Sequence, residues 1–312
     1  MFLIINFFRK EVHFMPIKSA INTNEKSKIL SPKLDVVFQI LFGEVGSEKI
    51  TKDLLSCILD EEIIDIDLNQ NIVLRRNMPR DKMGVVDVLA KINGNEYCNI
   101  EMQMTDKKNL IKRLLFYWSK QYIRNIKKSE DYNDLQRTIL ILLANFEIGS
   151  LKELGFHSRW KIIEEKERKI ILTDDFELNI IEMPKVHSLK TTGKEKKLKE
   201  WLTFFNDPES KEVSDYMKNN KNIKDAKDKL DVISQDEKVR RLAELREKAL
   251  LDEKEAEYTG YCNGVEDGIK QGVEQGIKNS KEDIAKKMKE KGADIEYIME
   301  ITGLSKEEIN LL

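Results

Sequence analysis

Asp87, Glu101 and Gln103 are the residues whose types and spacing bear most directly on chemistry. Asp87 opens an alternating run that ends at Ile92. Glu101-Met102-Gln103 closes a second run that begins at Glu96, and Asn93-Gly94-Asn95 lies between them. Asn-Gly between alternating apolar runs is a strong hairpin signal. With a three-residue loop, 93–95, Ile92 pairs with Glu96 and Asp87 faces Glu101 on one sheet face. A two-residue loop shifts the pairing by one and sends Asp87 to the other face. Two opposed carboxylates repel unless something positive lies between them, and converging oxygen ligands suit Mg²⁺ or Mn²⁺. The even positions Val86, Val88, Ala90, Ile92, Cys98, Ile100, Met102 and Met104 are all apolar, so they read as the core side. The odd face carries Asp87, Lys91, Asn99, Glu101 and Gln103, and its bland reading is a solvated hairpin surface.

The elements that must position this hairpin are legible from periodicity. Ser31-Pro32 reads as an N-cap followed by a first-turn proline, opening a helix with Val36, Val37, Ile40 and Leu41 on its apolar stripe. A second helix is expected over 48–59, then loop and strand over 63–74. The run 106–128 has the spacing of a long amphipathic helix, and 138–144 is a continuous apolar run suited to a strand buried on both faces. Further strands are expected at 169–172 and 176–182, and 184–235 reads as charged and mostly helical, with Trp201, Leu202, Phe204 and Phe205 docking on the core. This order gives a mixed α/β sheet flanked by helices.

With 312 residues and a net charge of −2, the chain has room for a large core and no global charge that announces a nucleic-acid binder. Cys57, Cys98 and Cys262 form no CxxC pair, and there are three histidines, which argues against a Cys/His zinc site and fits a reducing, cytoplasmic setting. The apolar stretch 1–8 is too short to span a bilayer and lacks signal-peptide features, so no membrane role is expected. Residues 1–28 read as an N-terminal extension, disordered or preceding a true start at Met15. An α/β domain over 29–235 and a helical region over 236–312 follow.

In that last region Gly260, Gly264, Gly268, Gly272 and Gly276 recur every fourth residue within one long helix. Interior glycines each weaken a helix by about 1 kcal/mol relative to alanine, so their retention points to close helix–helix packing and a homo-oligomer. A loosely ordered polar linker is the alternative. The tail reads helix, Gly303, helix, with Ser305 and Glu308 as a capping box. It is similar to half of a helix-turn-helix, although Glu307 and Glu308 suit a phosphate-rich groove poorly and favour a packing hairpin.

Several segments in order resemble a known family. Ser31-Pro32-Lys33-Leu34-Asp35-Val36-Val37-Phe38 with Ile40-Leu41-Phe42-Gly43, Val86-Asp87-Val88, Asn99-Ile100-Glu101-Met102-Gln103, Arg113 to Lys120, Leu172-Thr173-Asp174, Ile181 to Lys185 and the tail Ile301 to Ile309 resemble the Rpn-type recombination-promoting nucleases, often labelled putative transposases, of the PD-(D/E)XK superfamily. The likeness runs over roughly 29–312. It implies a restriction-endonuclease-like α/β core with a helical C-terminal extension, and divalent-metal-dependent cleavage of DNA phosphodiesters with Mg²⁺ or Mn²⁺. Asp87 and Glu101 would hold the metal with the Met102 backbone carbonyl, and Asp35 would be a further ligand or a helix N-terminal charge. Gln103 stands where the superfamily most often has lysine. It brings a hydrogen bond without the charge. A catalytically inactive DNA-binding or oligomeric regulator on the same fold is the alternative. Lys107, Lys108, Lys112, Arg113, Lys120, Arg124, Lys127 and Lys128 follow the acidic strand and read as a track for DNA phosphates, extended by Arg75, Arg76, Arg80 and Lys82. The bland reading of such a run is a solvated helix face. Tyr117 and Gln121 are further candidates to point toward the site.

Overall fold

The structure is a computed structural model that describes residues 29–68, 87–124, 126, 131–188 and 195–312. The described residues divide into two compact units, the second beginning at Glu244. In the first, α1 (Asp35–Gly43) and α2 (Glu48–Leu59) precede β1 (Ile66–Asp67), β2 (Val88–Ile92) and β3 (Glu96–Gln103). Then come α3 (Leu110–Arg124), β4 (Thr138–Ala144), β5 (His157–Ile163), β6 (Ile171–Glu182), α4 (Glu195–Asn206), α5 (Lys211–Tyr216) and α6 (Lys221–Gln235). The strands form one sheet in the order β1-β2-β3-β4-β6-β5. The β1, β2 and β3 strands pair antiparallel, β3 runs parallel to β4 and β4 to β6, and β5 returns antiparallel on the far edge. A parallel β3–β4 pair requires a crossover, and α3 supplies it.

The central strand β4 is buried along its whole length, as an unbroken apolar run between two helical layers demands. On one face, Leu110 and Leu114 of α3 pack against Leu140, Leu142, Ala144, Leu178 and Ile180. Trp118 adds its indole, donating to the Thr138 carbonyl at 2.7 Å. In the opposite layer, α1 lies against β2, with α2, α4 and α6 packed around it. An aromatic cluster holds this layer: the Phe42 ring centroid lies 5.4 Å from Phe205 and 5.6 Å from Trp201, all three fully buried. At the amino ends of β3 and β4, Arg137 joins Glu61, Glu96 and buried Glu177 at 3.2, 2.8 and 2.8 Å, tying β3, β4 and β6 together.

Three expectations are corrected. The first helix starts at Asp35, one turn after Ser31, because Ser31–Leu34 closes a turn of its own (Leu34 N to Ser31 O, 3.2 Å). The separate strands at 169–172 and 176–182 are one twelve-residue strand, whose start pairs with β5 beyond the end of β4. β5 itself was not anticipated; its His-Ser-Arg-Trp-Lys sequence puts polar groups on both faces of an edge strand. The odd face of the hairpin is not solvated: Asn99 and Glu101 are as deeply buried as the even-face residues, and Leu110 and Leu114 of α3 pack on the same face of the neighbouring strand β4.

In the second unit, the end of α7 (Glu237–Glu290), α8 (Ile295–Thr302) and α9 (Lys306–Leu311) enclose a small core of Ala285, Ile298, Leu304 and Ile309. Gly303 takes the left-handed conformation (φ 67°) that ends α8, and Ser305 with Glu308 forms the expected capping box on α9.

Truncating Phe42 to alanine removes the ring shared by α1 and α4. The expected cost is about 3–5 kcal/mol in chemical denaturation of the full chain; a loss below about 1 kcal/mol would show that this cluster does not hold the layer.

Candidate active site

The hairpin loop decides the site. Asn93 (φ 49°) and Gly94 (φ 79°) both adopt left-handed backbone, which asparagine and glycine accept more readily than other residues. Asn93 is anchored by its side-chain oxygen, which accepts the Ile64 N–H at 2.9 Å. The loop is therefore 93–95, Ile92 pairs with Glu96 and Val88 with Ile100. The next pair along is Asp87 and Glu101.

Both carboxylates are buried, Asp87 at 8% exposure and Glu101 at 3%. Asp87 Oδ2 accepts the Met102 N–H at 2.6 Å, a charge-assisted bond that fixes the aspartate against β3. Glu101 hydrogen-bonds the Gln103 side chain, yet its Oε1 has no hydrogen-bond partner. Burial, and then the Asp87 charge, push the Glu101 carboxyl up to about 8, while the Gln103 hydrogen bond and the Arg113 charge pull the other way. Two residues earlier, Asn99 is buried with neither amide atom bonded.

The β3–β4 register sets Glu101 beside Leu142 and Gln103 beside Ala144, on the face that α3 covers through Leu110 and Leu114. Arg113, next to Leu114, is half-buried, and its guanidinium donates to Tyr117 Oη at 3.1 Å while lying 5.7 Å over that ring. Tyr117 is thus engaged with Arg113, and Gln121, one turn on, is buried. Lys108, Lys112 and Arg124 are exposed, and Lys107 and Lys120 are half-exposed. Lys120 lies 4.6 Å over the Phe116 ring. Arg75, Arg76, Arg80, Lys82, Lys127 and Lys128 lie outside the described residues.

A divalent cation fits the pair. An oxygen left without a partner at a buried carboxylate, next to a second carboxylate, is what a hard cation would satisfy. Among the described residues no three His, Cys, Asp or Glu side chains form one metal-holding group. The donor set is therefore two carboxylates, to be completed by backbone, water or phosphate oxygens, which suits Mg²⁺ or Mn²⁺ better than zinc. Asp35 stands at the first turn of α1, its Oδ1 accepting the Val36 N–H at 2.8 Å. The sequence reading gave no role to Lys33 or Asn145, whose side chains meet at 2.9 Å across 112 positions; no local pattern signals such a contact.

A mixed sheet with α3 crossing between β3 and β4, and an acidic pair where β2 meets β3, defines a PD-(D/E)XK nuclease-like core. The chain belongs to the family described as PD-(D/E)XK nuclease family transposase, which matches residues 32–259. The C-terminal HTH domain of the Rpn/YhgA-like nuclease family matches residues 278–312, where the capped α8–α9 hairpin stands. No curated protein and no solved structure matches the chain.

A carboxyl raised on folding stabilises the protein below its unfolded value near 4.5, and that contribution is lost as pH rises through about 8. Glu101→Gln is therefore expected to melt above wild type at pH 9 without metal, by at least about 1 kcal/mol, roughly 2–4 °C. The difference should vanish near pH 4.5. Equal melting at both pH values would show that Glu101 carries no such penalty.

Proposed function

We propose that this protein is a divalent-metal-dependent DNA endonuclease acting in recombination or on mobile elements. The observation that carries this reading is the buried Asp87–Glu101 pair, with one oxygen left unpartnered, in a chain of the PD-(D/E)XK nuclease family. Asp87, Glu101 and the Met102 carbonyl would hold Mg²⁺ or Mn²⁺, with Asp35 as a further ligand. When bound there, such a cation makes water nucleophilic near neutral pH and polarises the phosphate.

The residues of the chain do the rest. Asp87 is fixed by the Met102 N–H, so its carboxylate keeps one orientation. Gln103 hydrogen-bonds Glu101 and favours its ionised form, the form a metal requires. Gln103 has no charge to offer the phosphate. Arg113, held by Tyr117 beside Glu101 on the covered face, is the cation that supports this step from α3. Lys107 and Lys108 just before α3, and Lys112, Lys120 and Arg124 along it, are contacts for backbone phosphates, which give affinity without sequence preference.

The C-terminal match favours a second DNA contact through α8 and α9. It also sustains the alternative of a DNA-binding regulator without cleavage, for which retention of DNA without metal and no cutting with any metal would speak. A cytoplasmic setting belongs to the same proposal, and the three free cysteines, which suit a reducing compartment, support it.

Supercoiled plasmid with Mg²⁺ or Mn²⁺ tests the activity. Wild type should nick it, and Asp87→Ala and Glu101→Ala should fall to background while melting as folded proteins. Equal nicking by wild type and Asp87→Ala contradicts the assignment.

Self-association through α7 completes the proposal. Among the described residues a Cβ built on Gly260, Gly264, Gly268, Gly272 or Gly276 meets nothing within 4 Å, so no described contact explains these glycines. Tyr261, Val265, Ile269, Val273 and Ile277 beside them are all exposed. In an isolated helix, Gly268→Ala with Gly272→Ala should only stabilise, by about 1 kcal/mol each. If backbones of two copies meet there, the double variant loses the oligomer in light scattering. An unchanged mass would reject packing at the glycines.

A further inference from the structure

Lys33 is a charge that the active-site account does not use. It sits two residues before α1, and its Nζ donates to Asn145 Oδ1 at 2.9 Å and Asn206 Oδ1 at 3.3 Å. Both partners are neutral, and no described carboxylate pairs with it. Burial without a counter-charge lowers its pKa, a cost that an anion would relieve. The two asparagines must turn their oxygens to a lysine, which only donates, so the orientation of each amide is fixed by chemistry. Their Nδ2 groups donate to no described residue. One Nζ hydrogen and two amide groups remain, and every one of them is a donor.

The position of this cluster is as informative as its composition. The Asn145 N–H donates to the Gln103 carbonyl at 2.9 Å, so the cluster caps the carboxyl ends of β3 and β4. Those are the strand ends at which Glu101 and Gln103 stand. Lys33 and Asn206 approach from the α1–α4 layer, whereas Arg113 approaches from α3 on the other side of the sheet. Lys33, Asn145 and Asn206 are all half-buried, open enough for a ligand to reach.

We infer that Lys33, Asn145 and Asn206 form a phosphate-binding subsite for a DNA backbone phosphate next to the one being cut. The identity of the anion as DNA rests on the nuclease reading; the donor-only chemistry does not. A phosphate oxygen there takes the remaining Lys33 hydrogen and the amide hydrogens. The contact is to the backbone, so it positions the strand over Glu101 without reading sequence.

The test is duplex binding by the full-length protein in EDTA, followed by fluorescence anisotropy across a salt series with two duplexes of unrelated sequence. Lys33→Met should weaken both duplexes alike and reduce the slope of log K against log salt by about 1. Lys33→Arg should keep the slope. Asn206→Asp gives a second route: its carboxylate neutralises Lys33 in place, and the slope should again fall by about 1 with the fold intact. Removing an uncompensated half-buried charge should leave the melting temperature of Lys33→Met equal to wild type or higher. Unchanged affinity and slope in Lys33→Met or in Asn206→Asp overturns the subsite, as does a wild type that binds neither duplex. Cleavage plays no part in this readout. A wild type that fails to nick while the slope still falls sinks the nuclease reading and leaves the anion site standing; nicking with an unchanged slope does the reverse.

Discussion

Two carboxylates held face to face on a covered sheet surface are the constraint on which this structure turns. Asp87 and Glu101 are opposed by the hairpin register, desolvated by burial, and steadied by a backbone N–H and a glutamine amide. In a fold optimised only for stability such a pair is a liability, because desolvation and mutual repulsion act in the same direction. The surroundings remain apolar and tightly packed all the same: Leu140, Leu142 and Ala144 flank the pair, and Leu110 and Leu114 close over them. The chain builds a rigid, largely dry frame around a site whose charge is left unbalanced, an arrangement that makes sense where a cation and a polyanion complete it.

The charges around that site fall on different layers. Arg113 comes from α3, braced by Tyr117, and Lys33 from the segment before α1, braced by two asparagines. Gln103, neutral beside Glu101, brings no positive charge of its own. The more distant Arg137 cluster is of another kind. It is internally matched with Glu61, Glu96 and Glu177, lies at the opposite strand ends, and holds the sheet together.

Much of this was legible in the sequence where a local rule was decisive. Asn93-Gly94-Asn95 marks the turn and leaves a loop of two residues or three; the three-residue loop, which opposes Asp87 to Glu101, is the one the fold adopts. The bounds of α2 and β4 also follow from local pattern, as does the Ser305–Glu308 cap. What could not be read depends on long-range contact. Alternation marks the even face as core, yet it cannot reveal that Asn99 and Glu101 on the polar face are buried as well. Thr173-Asp174-Asp175 has the composition of a turn, and only pairing with β5 keeps it in a strand. Lys33 is an ordinary lysine until the fold sets it against Asn145 and Asn206.

The account stands on the pair as a place for a metal ion, and calorimetric titration of Mn²⁺ into the protein near neutral pH examines that directly. Wild type should bind with release of a proton, since Glu101 is largely protonated there without metal. Glu101→Gln, equally folded, should bind weakly or not at all and release none. Equal binding by wild type and Glu101→Gln, or no binding by wild type, would contradict the account.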